Sequence, residues 1–247
     1  MSYKKESNKT LKEYYKTHSI EDTIRVAKTM LYSDSYKDIK AFNAHVHGEI
    51  CETVLELLVM DYMKKNPVKT KEWFYSKGLI IKDIDNPSNG YFTELDLTVF
   101  TPQKIFAFEC KSYGGDKKIT QKCMIQKKKG GRFDVYAQHE KHARVLAKQL
   151  KAFRKSLYTD KPAYQLVLFD FATGTTEDVR TSANKLIMPC LNEANVLNIF
   201  SVYEDGPVIW NMEYLSRAIK IIERKHDSYA KKHLSYVRKL NANRRNV

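Results

Sequence analysis

The chain has 247 residues, with 43 Lys and Arg against 29 Asp and Glu, a net charge of +14 and an apolar share of 43%. It can bury a sizeable core, and its charge favours polyanionic partners. It contains no run of about eighteen apolar residues and no hydrophobic leader, which argues against a membrane-spanning or secreted protein. Cys51, Cys110, Cys123 and Cys190 lack paired metal-ligand spacing. They read as reduced thiols of a cytoplasmic protein with no membrane partner.

Residues 1–40 read as a basic arm followed by a helix over Ile20 to Tyr32, with Ser19 and Asp22 as its capping signature. Ala41 to Lys65 is the clearest helix. Ile50, Val54, Leu55, Leu57 and Leu58 fill an apolar arc, and Glu49, Glu52 and Glu56 fall within about 60° of one another at about 100° per residue. Glu56 reads as solvated. Glu49 follows Gly48 near the start of the helix proper and is the candidate functional carboxylate, with Glu52 as its competitor. Gly78 reads as a turn before a strand over Leu79 to Asp83, and residues 85–90 as a loop.

Thr93 to Gly115 is the organising stretch. Two apolar runs flank Thr101-Pro102-Gln103-Lys104, a hairpin signal. With Pro102 and Gln103 as the tip, Asp96 lies opposite Glu109 and Glu94 opposite Lys111. Leu95, Leu97 and Val99 then share a face with Cys110, Phe108 and Phe106, and Glu94, Asp96, Glu109 and Lys111 share the other. Two carboxylates so placed repel, and a divalent cation relieves the repulsion. Hard oxygen ligands suit magnesium, with manganese as its substitute. Lys111, on the same strand face as Glu109, can orient a water or stabilise charge on a phosphate. The bland alternative is an ion-paired solvent face.

Beyond the hairpin, Lys117, Lys118, Lys122, Lys127, Lys128, Lys129 and Arg132 crowd a short span, a pattern that suits phosphate contacts. Phe133 to Leu157 reads as a second strong helix, in which Gln138 and His142 are i,i+4 neighbours. Ala163 to Phe171 reads as a buried strand, and Leu186 to Met188 and Pro207 to Trp210 as two short ones. Asn211 is a candidate N-cap for a helix from Met212. The basic extension 225–247, with Arg238 and Lys239, offers a second nucleic-acid contact or a docked helix.

The order of Gly48-Glu49 on a helix, Asp96 on a strand, Glu109-Cys110-Lys111 on the next, and Gln138 with His142 on a helix resembles the PD-(D/E)XK nuclease superfamily. Within it the chain is most similar to the nuclease-related domain, NERD. The likeness runs from around Ala41 to Phe171. It implies an α/β (α+β) fold with a restriction-endonuclease-like core: a mixed central sheet flanked by helices, with helical N- and C-terminal additions. The domain expectation is an arm and helix over 1–40, a core over 41–224 and the extension. The resemblance also implies magnesium-dependent phosphodiester hydrolysis. Asp96, Glu109, the Cys110 carbonyl and Glu49 would be metal ligands, Lys111 a catalytic lysine, and Gln138 a residue that orients the site. Nucleic acid, foremost DNA, is the expected partner, and a homodimer stays open. The rivals are a nucleic-acid-binding protein that keeps the fold without cleavage, and a protein that acts on a protein partner.

Overall fold

The computed structural model describes residues 2–32, 40–83, 92–128, 130–151, 164–171, 174–232 and 235. In chain order the helices are α1 (Ser2–Tyr15), α2 (Ile20–Tyr32), α3 (Lys40–Lys65), α4 (Val135–Lys151), α5 (Ser182–Ile187), α6 (Asn198–Ser201) and α7 (Met212–Glu223). The strands are β1 (Phe74–Lys82), β2 (Phe92–Phe100), β3 (Ile105–Lys111), β4 (Lys117–Ile119), β5 (Met124–Lys127), β6 (Arg132–Asp134), β7 (Tyr164–Asp170), β8 (Thr176–Asp178) and β9 (Cys190–Leu191). This is the expected mixed α/β architecture, with two sheets among the described residues. The chain forms two compact units. One comprises Met1–Lys71, Phe108–Asp134 and Val167–Asp205; the other comprises Glu72–Ala107, Val135–Leu166 and Gly206–Val247.

In the first unit, α1 and α2 pack on α3. The Ser19 hydroxyl caps α2, accepting from the Asp22 amide at 3.0 Å, as its sequence predicts. From Ile50 to Val59, α3 is buried nearly all round, so its acidic stripe is not a solvated face. Glu56 departs from expectation: it is 5% exposed and accepts from Lys12 of α1 at 2.6 Å. The end of β3, the end of β7 and β9 follow in that order, with β7 and β9 parallel. A smaller sheet has the order β6-β5-β4-β8, antiparallel except for the parallel pair β4 and β8.

In the second unit, β1 and β2 are antiparallel, with Leu79 level with Leu95 and Lys77 level with Leu97. One core joins Leu79, Ile81, Leu95, Phe100, Ile105 and Ala107 to Val145, Leu146 and Leu150 of α4 and to Leu215, Ile219 and Ile222 of α7. Asn211 caps α7 as expected, accepting from the Tyr214 amide at 3.2 Å.

Three expectations change. Gly78 is a break inside β1, with φ at 61°, and not a turn before it. Ser76, on one side of it, bonds Glu223 of α7 at 2.7 Å, while Leu79 and Ile81, on the other side, enter the same core. Glycine supplies the left-handed backbone at this break, and the one-to-one register of β1 with β2 runs on across it. Leu186 belongs to α5, capped by Thr181, and not to a strand. Residues 207–210 make no ladder. The Ile209 and Trp210 amides instead donate to the Pro102 carbonyl at 2.8 and 3.0 Å, anchoring the hairpin tip.

Candidate active site

The hairpin closes as the sequence predicts. The Thr101 amide donates to the Lys104 carbonyl at 2.9 Å, and the Lys104 amide to the Thr101 hydroxyl at 3.0 Å, leaving Pro102 and Gln103 at the tip. The polar residues of the hairpin do not form a solvent face. Every residue of β3 from Ile105 to Cys110 is buried, and so is every β2 residue from Leu97 to Phe100. The charges of β3 therefore stand inside the protein and not on a solvent face.

In the first unit, Glu109 is 1% exposed, and Lys111, two residues on, forms an ion pair with its Oε1. Residues two apart on a strand share a face, which puts ammonium and carboxylate together. Glu109 is desolvated and Lys111 half-buried; a buried ion costs several kcal/mol, which attraction offsets only with good geometry. Cys110, between them, is a buried cysteine outside any disulfide. The Phe171 amide donates to the Lys111 carbonyl at 3.0 Å and so fixes the end of the strand. On α3, Glu49 is 8% exposed and Glu52 is half-buried; Glu56 is engaged by Lys12.

In the second unit, Asp96 is half-buried on β2, level by count with Gly78. Gln138 is exposed in the first turn of α4. Its neighbour His139, which the sequence argument missed, is 1% exposed, and its Nε2–H donates to the Ala107 carbonyl at 2.8 Å. In the neutral ring that bond leaves the lone pair on Nδ1. The signal was available: Val135, His139 and Ala143 recur every four residues along the buried stripe of α4.

The basic set divides. Lys117, expected among the phosphate contacts, is 4% exposed, pairs with Asp170 at 3.1 Å and donates to the Tyr113 carbonyl at 3.2 Å. It is a structural lysine, because burial removes it from any phosphate. Lys118, Lys122, Lys128 and Arg132 are exposed, and Lys127 is half-buried. Lys129, Arg238 and Lys239 lie outside the described residues.

Residues 52–170 match the family model of the nuclease-related domain, NERD. Over this stretch the chain is similar to the nuclease-related domain. The matched stretch holds Asp96, Glu109, Lys111 and Gln138, and Glu49 stands three residues before it. No curated protein and no solved structure matches the chain. No helix among the described residues is long and apolar enough to cross a membrane.

Proposed function

We propose that the protein is a magnesium-dependent nuclease that hydrolyses phosphodiester bonds, in DNA foremost. The observation that carries this reading is Glu109, a carboxylate 1% exposed at the end of an apolar strand, ion-paired with Lys111, within the stretch similar to the nuclease-related domain. The hairpin tip at Pro102 and Gln103 is closed, as this reading requires.

The donor set fits a hard cation. Asp96, Glu109 and Glu49 offer carboxylates, and Cys110 offers its carbonyl. These residues would hold magnesium or manganese, which when bound supplies Lewis-acid polarisation of the phosphate and a more acidic water. Lys111 orients the attacking water or donates to a phosphate oxygen as charge builds there. Burial of Glu109 keeps bulk water from screening its charge. Gln138, exposed on the first turn of α4, orients the substrate side of the site. Lys118, Lys122, Lys127, Lys128 and Arg132 supply sequence-independent affinity for the phosphate chain, with Arg238 and Lys239 as further contacts.

The ion pair also favours a second reading. Lys111 already neutralises Glu109, as it would in a nucleic-acid-binding protein that keeps the fold without cleavage. Glu109→Gln separates the two. In the nuclease reading the wild type cuts linear, circular, branched and single-stranded DNA substrates, or a subset of them, in magnesium, and the variant loses that activity. Wild-type protein that binds all four and cuts none supports the binding reading.

A further inference from the structure

Two residues past Lys111, the ring of Tyr113 stacks on that of Phe133 from β6, with centroids 4.6 Å apart and planes 23° from parallel. The Lys127 ammonium stands 4.9 Å from the Tyr113 centroid and 5.8 Å from that of Phe133. The longest of these three separations is well short of the sum of the other two. The ammonium therefore flanks the stack and does not cap its outer end. Phe133 is 37% exposed, a large ring left in water on a very basic segment. Between Asp116 and Asp134 the sequence holds seven Lys and Arg against those two acids.

Lys127 also lines a groove of about 560 Å³ on the small sheet, with Lys118, Gln126, Lys128 and Thr175. The acids of that groove are already engaged. Asp116 accepts from the Thr175 amide and hydroxyl at 3.0 and 2.9 Å, which holds its carboxyl below the usual range. Glu177 lies 3.8 Å from Lys118, an exposed and long contact that costs little to break. One lysine thus belongs both to a ring stack and to a basic groove, and the stack is joined through Ser112 to the lysine of β3.

We propose that Tyr113 and Phe133, flanked by Lys127, form a stacking platform for an unpaired base of single-stranded nucleic acid, whose phosphates run along the Lys118–Lys128 groove. Lysines alone bind duplex and single strand through the same phosphate charge. An aromatic face discriminates, because in a duplex both faces of each base are covered by its neighbours, while an unpaired base gains a new stack. Burial, the largest influence, raises the Tyr113 phenol above its ordinary value, with Glu109 adding to that and Lys111 opposing it. The platform thus lies within the electrostatic reach of the β3 pair. The proposal deepens the nuclease reading and rests on it only for the consequence that cutting would favour single strands, flaps or frayed ends.

The test is binding in chelator, where nothing is cut. Fluorescence anisotropy compares a labelled oligodeoxythymidine with a duplex of equal length for the wild type, Tyr113→Leu, Phe133→Leu and the double variant. Leucine keeps the apolar volume and removes the ring; Tyr113→Phe is the conservative control. The wild type is expected to prefer the single strand. The double variant is expected to lose about fivefold or more in single-strand affinity while duplex affinity stays within about twofold, and Tyr113→Phe to bind like the wild type. A 2-aminopurine base in the single strand is quenched by the wild type and not by the double variant. Equal affinity for both forms in the wild type, or an equal loss for both in folded leucine variants, overturns the platform. If the double variant does not fold, the single leucine variants decide by the same comparison. A wild type that prefers single strands but cuts nothing in magnesium refutes the nuclease reading and leaves the platform standing.

Discussion

Two lysine–carboxylate pairs with a buried carboxylate in the first unit invite comparison. Lys117 of β4 pairs with Asp170 of β7, and Asp170 also accepts from the Thr176 hydroxyl of β8 at 2.6 Å. That pair ties strands of two sheets together and has an evident folding task. Lys111 and Glu109 lie two residues apart on one strand, so the ion pair between them is local. The Lys117–Asp170 pair returns its desolvation cost as a tertiary connection. Burial of charge therefore does not by itself mark function. The Lys117–Asp170 pair has a folding task, while the proposed catalytic role of Glu109 and Lys111 is what the variants below test.

The comparison breaks most visibly at the lysines. Lys111→Met is expected to slow cleavage per folded molecule on the order of a hundred- to thousandfold and, since it leaves Glu109 buried without its ammonium, also to lower the melting midpoint, measured by single-turnover product formation beside thermal unfolding. Lys117→Met should lower stability alone. It leaves Asp170 buried beside a methyl group and destabilises by roughly 3–5 kcal/mol in denaturant titration, with cleavage per folded molecule nearly intact. If Lys117→Met loses cleavage without losing stability, the division between the two pairs fails.

A smaller effect sharpens the same boundary. Gly174 has φ at 85°, and a Cβ there would meet the Gly115 carbonyl carbon at 2.6 Å. Gly174→Ala must strain the backbone or push the loop after Lys111 aside, a cost on the order of 1–3 kcal/mol. Chemical denaturation measures it, and a neutral result would mean that this approach relaxes freely.

A still smaller effect is expected in acid. Burial pushes the Asp178 carboxyl up, but the Arg180 guanidinium and amide pull it below the usual range on balance. A depressed carboxyl stabilises the fold above its unfolded pKa, and that contribution is lost as pH falls through the lowered folded value. Asp178→Asn should flatten the acid limb of the stability curve; an unchanged limb would place the acid sensitivity elsewhere. Smallest of all, Lys118→Gln with Lys128→Gln should weaken duplex and single-strand binding alike. The log–log salt slope should fall by about two, and an unchanged slope would move the phosphate contacts off the small sheet.

The elements with strong periodicity were legible in the sequence: α2 with its Ser19 cap, α3, α7 with its Asn211 cap, and the hairpin with its tip at Pro102 and Gln103. The small sheet was not. Its strands of three or four residues carry lysines, and their pairing comes from partners as distant as β8, so no local alternation announces them. Glu109, Lys111 and Asp96 could be singled out because charge in an apolar strand is rare enough to notice. The fates of Lys117 and Glu56 could not be foreseen, since each depends on a partner many residues away, Asp170 and Lys12. His139 was hidden by its neighbour. The helical pair Gln138 and His142 drew attention, while the buried stripe ran through the residue between them.

The most direct test of the central claim pairs two assays on wild type and Asp96→Asn, each with magnesium and with chelator. Asparagine keeps the shape of the side chain and removes the charge a cation needs. The account predicts that wild type cuts in magnesium alone, and that Asp96→Asn binds nucleic acid as well or slightly better while hydrolysis falls by orders of magnitude. Cleavage by Asp96→Asn at the wild-type rate, or a wild type that binds tightly and never cuts, would contradict it.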